Sequence, residues 1–130
     1  MKKLQIIILV ILIFCLTQNL FSQSKAENSF LGKWLTEDKN YVVEIYKENE
    51  LFFGKVIKSY RLEDKNKDAS MVEKVIKNMK LKNNVLSGGQ VFDDESKKYF
   101  DGKIVIDGEK IKIKIIYMLM SFSETWIREK

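Results

Sequence analysis

The chain reads as all-β: a small antiparallel up-and-down barrel of seven to eight strands, preceded by an N-terminal signal peptide. Three observations predict it. Short runs of alternating apolar and polar residues recur from Leu31 onward, cut by turn pairs such as Asp107-Gly108. No such run is followed by a full-length amphipathic helix, which a parallel sheet would need for its crossovers. The ends of the domain also answer each other, with Gly32-Lys33-Trp34 opening it and Glu124-Thr125-Trp126-Ile127-Arg128 nearly closing it. A Gly-x-Trp on the first strand and an Arg on the last suit barrel closure: the indole covers the floor and the guanidinium lies on its outer face. Gly32, Trp34, Trp126 and Arg128 are therefore the expected closing set.

Met1-Lys2-Lys3 supplies a positive start, and the 13 positions from Leu4 to Leu16 are apolar except for Gln5. That run is shorter than the roughly 20 residues a membrane-spanning helix needs. Polar Thr17-Gln18-Asn19 and small Ser22 follow, the pattern of a secretory signal, with cleavage placed after Ser22 and Ser24 as second choice. An uncleaved anchor helix is the alternative, because Leu20 and Phe21 extend the apolar tract. Phe14 before Cys15 is too bulky for a lipobox, so lipidation at Cys15 is not expected. Residues 23–29 are polar and read as a flexible leader; 30–130 form one barrel domain.

Tyr41-Val42-Val43-Glu44-Ile45-Tyr46 is a strand of β-branched and aromatic residues, and Glu48-Asn49-Glu50 turns it back into Leu51–Ile57. Gly54 inside the returning strand marks a bulge or sharp bend. The segment 64–82 is ambiguous. Met71, Val72, Val75, Ile76 and Met79 recur at helical spacing, yet 75–81 also reads as a strand; a loop with a short helical turn, then a strand, is the expectation. Leu86-Ser87-Gly88-Gly89-Gln90-Val91-Phe92 is a bulged strand. Residues 98–106 and 110–117 form a hairpin about Asp107-Gly108-Glu109. In its second arm Ile111, Ile113 and Ile115 face one way and Lys110, Lys112 and Lys114 the other, as in a sheet with one buried face. Closure into a barrel then removes the edges that lone strands would expose.

Cleavage after Ser22 leaves 108 residues, enough for one modest core, and removes the sole cysteine. The charge falls from +5 to +3 with Lys2 and Lys3 gone. The remaining lysines are scattered along strands, so the excess reads as solubility and no nucleic-acid partner is expected. With no His anywhere and no Cys in the mature chain, imidazole- or thiolate-based nucleophilic pairs and zinc sites are excluded. Most carboxylates sit in turns, where they satisfy backbone donors. Asp64-Lys65-Asn66-Lys67-Asp68 begins like a calcium loop, but Ala69 stands where the required Gly should be and Val75 where the closing Glu should be. It reads as a solvated loop, and neither a metal nor a cofactor is expected. Glu44 lies inside a strand; if its face is the lumen it needs a partner such as Arg128 or a Tyr hydroxyl, and alternation alone leaves the side open.

The aromatics Phe52, Phe53, Phe92, Phe100, Phe122, Trp34, Trp126 and five tyrosines are dense for so short a domain. They read first as core packing, second as the wall of a cavity, for which Tyr46, Phe53 and Phe92 are the candidate ligand-binding residues.

Gly32-Lys33-Trp34-Leu35-Thr36-Glu37-Asp38, Val43-Glu44-Ile45-Tyr46, Gly54-Lys55-Val56, the 64–68 loop, Gly88-Gly89-Gln90-Val91-Phe92-Asp93 and Glu124-Thr125-Trp126-Ile127-Arg128 together resemble the domain-of-unknown-function family numbered 2147. The likeness spans nearly the whole mature chain in the family's order. It implies a small exported bacterial lipocalin-like barrel, and no activity. The chain departs from the family pattern at Ala69-Ser70 and Asp94, where the family has Pro, and at Tyr117-Met118-Leu119-Met120, where it has a Gly-rich strand.

The expected function is that of an exported, periplasmic or secreted protein that binds one small apolar or amphipathic molecule without turning it over. The alternative is an envelope interaction or inhibitor protein acting through its outer surface or loops. No membrane insertion is expected once the signal is removed.

Overall fold

The computed structural model describes residues 1–61 and 74–130, with backbone alone at 17–24. A long helix, α1 (Lys2–Phe30), leads into eight strands: β1 (Gly32–Leu35), β2 (Tyr41–Glu48), β3 (Leu51–Ser59), β4 (Ile76–Lys82), β5 (Val85–Asp93), β6 (Lys98–Asp107), β7 (Lys110–Tyr117) and β8 (Met120–Arg128). Each strand pairs antiparallel with the next, and β1 with β8, so the sheet closes on itself in sequence order. The strand expected at 75–81 is β4. The calcium-like loop and the proposed helical turn lie outside the described residues.

Turn chemistry follows the handedness that hairpins need. Asn49-Glu50 and Asn83-Asn84 occupy positive φ in pairs, and Gly108 does so alone, which matches the right-handed twist of the flanking strands. Close approach fixes two strand glycines. A Cβ on Gly89 would collide with the Lys77 carbonyl oxygen across the β4–β5 ladder, and one on Gly54 would meet Ile76 and Val43 near 3 Å. The bend expected at Gly54 is there as a register shift between Phe52 and Gly54 against β4.

The register assigns faces. Ile45 pairs with Gly54, Lys47 with Phe52, Ile104 with Ile113 and Ile111 with Trp126. Together with the two-residue period of the pleat, these pairs place Trp34, Val43, Ile45, Phe52, Ile76, Met79, Leu86, Val91, Ile104, Ile111, Ile113 and Trp126 in one interior cluster. The inferred direction of Ile111, Ile113 and Ile115 is inward. Phe30, the last residue of α1, belongs to the same cluster and is fully buried.

That position differs from the sequence expectation. Residues 23–29, anticipated as a flexible leader, are the closing turns of α1. They are held because Phe30 needs an apolar seat and the barrel floor supplies one. Glu27 also reaches Lys47 at 2.8 Å, and that contact raises the Lys47 pKa. Upstream, the side chains from Leu4 to Leu16 are exposed around the helix. Among the described residues no helix is long and apolar enough to cross a membrane.

Candidate functional site

The two ends of the barrel are built differently. At the end where β1 starts and β8 finishes, the Trp34 indole is 1% exposed and its Nε1–H donates to the Phe30 carbonyl at 2.8 Å. The Arg128 guanidinium lies 4.0 Å from the centre of the Trp34 ring. Arg128 Nη1 donates to the Leu31 carbonyl at 2.6 Å, and Nη2 to the Ser29 carbonyl at 3.0 Å. One cation thus covers an aromatic face and satisfies carbonyls at the end of α1. Gly32, at φ +120, makes room: a Cβ there would sit 2.7 Å from Arg128 Nη1. Trp126 stands deeper, opposite Ile111, inside the cluster. A cleft of about 480 Å³ beside this floor is lined by Glu27, Lys47, Glu50, Phe52, Lys80 and Leu81 among others, and the Lys47–Glu27 and Lys47–Glu50 ion pairs border it.

At the opposite end the inner face comes progressively into water. Along β8, Trp126 is 3% exposed, Glu124 half-buried, Phe122 54% and Met120 58% exposed. Along β7 the sequence repeats, from fully buried Ile111 and Ile113 through half-buried Ile115 to exposed Tyr117. On β6, Phe100 meets Tyr117 edge to face at 5.3 Å. These side chains share the inner face because Ile115 pairs with Phe122 and Tyr117 with Met120. The rim on this side is an aromatic and aliphatic mouth.

Glu124 places a carboxylate in it. Glu124 Oε1 accepts the Trp126 Nε1–H at 2.8 Å. Burial raises its pKa; the indole hydrogen bond pulls the other way; the charges of Asp38, Glu37 and Asp93 push it further up. Glu37 reaches from the β1–β2 loop to accept the Thr125 N–H at 2.9 Å, which satisfies a backbone donor where β8 runs past the end of β1. Among the described residues, no three His, Cys, Asp or Glu side chains are grouped so as to hold a metal ion.

The three wall candidates do not face this interior. Tyr46 pairs with Phe53, and their rings stack at 5.8 Å on the side of the sheet opposite Ile45 and Phe52. Lys55 lies 5.1 Å over Tyr46, and Lys74 4.5 Å over Phe53. Phe92 meets Tyr99 edge to face at 5.2 Å, again outside, with Lys77 over Tyr99. The aromatic wall expected from Tyr46, Phe53 and Phe92 is thus an outer girdle of aromatic and lysine side chains. The reason is phase. A bulge between Val42 and Val43 resets the alternation in β2, and adjacent Phe52 and Phe53 give β3 an apolar residue on each face. Glu44, whose side the sequence left open, is also outside, 3.7 Å from Lys55. The mouth residues Phe100, Tyr117, Met120, Phe122 and Glu124 were legible in principle: once Ile111, Ile113 and Ile115 point inward, a two-residue turn after Tyr117 places Met120, Phe122, Glu124 and Trp126 on the same face.

The comparisons agree with this architecture. Protein HP1028 from the human pathogen Helicobacter pylori, described as belonging to the lipocalin family, superposes with a TM-score of 0.61 at 15% identity, covering 78% of this chain and 83% of that one. No curated protein matches. The profile of a family described as "Uncharacterized protein conserved in bacteria (DUF2147)" matches residues 32–128, the whole barrel from Gly32 to Arg128, and the chain belongs to that family.

Proposed function

We propose that the protein is exported and binds, without turnover, one small apolar or amphipathic molecule at the mouth lined by Phe100, Ile115, Tyr117, Met120 and Phe122. The observation that carries this reading is the gradient along β7 and β8, from sealed core to open apolar rim within one continuous inner face. A folded chain leaves large apolar side chains uncovered in this way where something else covers them. Glu124 adds a carboxylate at the depth where a guest's polar end would arrive, and a donating head group would relieve its desolvation. A carboxylate hydrogen-bonded to an indole suits the anchoring of a ligand's polar end. The lipocalin-like barrel supports the same reading at the level of fold. Export rests on Lys2-Lys3, the uncharged run to Leu16 and small Ser22. After cleavage the stretch from Gln23 to Phe30 stays with the domain as part of its floor.

The test is displacement of an environment-sensitive fluorescent fatty acid by candidate amphiphiles, alongside a panel of hydrolase substrates. Binding is expected to saturate, to weaken about tenfold in Phe122→Ala, the order of one well-packed aromatic contact, and to be unchanged in Phe53→Ala, whose ring is outside. Absence of saturable binding, or loss in Phe53→Ala alone, overturns the mouth as the site. N-terminal sequencing of protein from the envelope fraction should start at Gln23 or within a few residues; intact Met1 in membranes would restore the anchor.

A further inference from the structure

The turn joining β7 to β8 is built against the rule that the other tight turns obey. Where the β6–β7 turn has Gly108 at φ +65, this one has Met118 at φ +53, and Leu119 follows it. The β2–β3 and β4–β5 turns place Asn at the corresponding position. Asn, Asp and Gly are favoured there because they tolerate positive φ and welcome water. Met and Leu gain nothing from this geometry, and here they are 80% and 103% exposed. Tyr117, Met120, Phe122 and, on the outer face, Ile116 are exposed on either side of them. Folding alone does not account for an apolar hairpin tip that projects into water at a strained turn, and such local violations concentrate where a surface has a task.

Charge on the hairpin stem decides what that surface suits. Lys112 and Lys114 lie on the outer face of β7, and Lys103 of β6 is paired directly opposite Lys114. Like charges in register repel, yet none of the three has an ion-pair partner among the described residues. Elsewhere Lys47, Lys55 and Lys97 each face a carboxylate. Among the described residues of the same rim, four acidic groups are engaged locally, Asp94 with Arg61 and Lys97, Asp93 with Ser96, Asp38 with Thr36 and Asn40, and Glu37 with the Thr125 N–H, which leaves Glu95 and Asp101, opposite Ile116, as the acidic groups near the collar. Lys114 stands four residues below Met118, roughly 13 Å along a strand. That separation suits an apolar tip in the acyl boundary with lysine heads reaching up to phosphates.

We infer that the β7–β8 tip, Tyr117 to Phe122, is a docking element for an anionic phospholipid surface, with Lys103, Lys112 and Lys114 as its electrostatic collar. The arrangement combines the two signals that reversible membrane attachment needs, exposed apolar and aromatic side chains and neighbouring unpaired cations. It shares Tyr117, Met120 and Phe122 with the proposed mouth, so docking here would set the mouth against the membrane, but it does not require that the barrel hold a guest. The tip lies at the end of the barrel opposite α1, so the two apolar elements are separable in one molecule.

The experiment uses the full chain with an indole introduced by Leu119→Trp, a fully exposed turn position that tolerates the change. Its emission is followed on adding vesicles of phosphatidylcholine alone or mixed with phosphatidylglycerol, with brominated lipid as quencher. Asn84→Trp, in a turn at the floor end, is the control for adsorption through α1. A blue shift and quenching at position 119 but not 84, dependent on phosphatidylglycerol, are expected. Lys112→Gln/Lys114→Gln should raise the lipid concentration at half-saturation by about 30-fold, the order set by two lysines at an anionic surface. Four results would each overturn the proposal: no quenching at position 119, equal quenching at 84, quenching indifferent to lipid charge and to the lysine changes, or a lipid-free spectral shift that grows with protein concentration. The last would assign the tip to contact between copies.

Discussion

The floor and the mouth of this barrel draw on the same residue types to opposite effect. At the floor, Trp34, Phe30 and Arg128 are locked: an indole under a guanidinium, its N–H on a backbone carbonyl, and the end of α1 drawn against it. At the mouth, the side chains of Tyr117, Phe122 and Met120 are uncovered, and Glu124 beside them is a carboxylate held partly out of water. The β1–β8 ladder explains the difference. It contains two residue pairs, Trp34 with Arg128 and Leu35 with Ile127, so β8 is clasped only at its last turn of sheet. From Trp126 back to Met120 the strand runs past β1, and its inner face opens. Closure is thus concentrated at one end, and stability and exposure are separated along a single strand.

The sharpest way to break that contrast is at the floor. Trp34→Ala removes a fully packed indole, and such large-to-small core changes cost about 3–5 kcal/mol. Arg128→Ala leaves the indole in place and loses an exposed cation–π contact, worth about 0.5–1 kcal/mol, with two exposed hydrogen bonds to the Leu31 and Ser29 carbonyls that add about 0.5 kcal/mol each. Urea midpoints of the two variants should therefore separate widely. If Trp34→Ala unfolds at the wild-type midpoint, the floor is not where the barrel is held.

The contrast between the ends also marks what the sequence could and could not convey. The strands were legible because the inward runs of β6 to β8 are regular and the β2–β3, β4–β5 and β6–β7 turns carry Asn or Gly; Ile111, Ile113 and Ile115 are the clearest case. The geometry at Trp34 was foreshadowed by residue type, since Gly-x-Trp and a terminal Arg have few other uses in a small sheet. The choice of wall was not legible. Which of Phe52 and Phe53 faces inward depends on a bulge at Val42 and Val43 that alternation cannot locate, and the choice carries Tyr46 with it. The helical close of α1 was hidden for a related reason: Glu27 and Ser29 are polar, and only the three-dimensional floor gives Phe30 a seat.

Glu124 tests the mouth at its polar point. Its carboxyl is raised above the ordinary value of 4.5, chiefly by burial. A carboxyl raised on folding makes the native state hold a proton that the unfolded chain releases. Its contribution to stability is therefore present below about pH 4.5 and is lost as pH rises through the folded value. Glu124→Gln keeps an oxygen for the Trp126 N–H and removes the charge. Thermal melts between pH 4 and 7 should show the variant level with wild type at the acid end and more stable at neutral pH. Parallel curves would mean that the carboxylate is solvated and the mouth is wet to its depth.

The smallest expected effect lies at the tip, and its sign is the informative part. A non-glycine residue at positive φ costs about 1 kcal/mol when its side chain makes no compensating bond, and Met118 is such a residue. Met118→Asn with Leu119→Gly supplies the preferred turn chemistry and removes two exposed apolar side chains. If the tip serves only an external surface, the double variant should equal or slightly exceed wild type in melting temperature, by at most a few degrees for a domain of this size. A clear loss would mean that Met118 or Leu119 packs against the chain in solution, and the mouth would then be partly closed by its own rim. A gain would leave the two apolar residues without a role in folding, in contrast to Trp34 and Phe30, whose burial the barrel depends on.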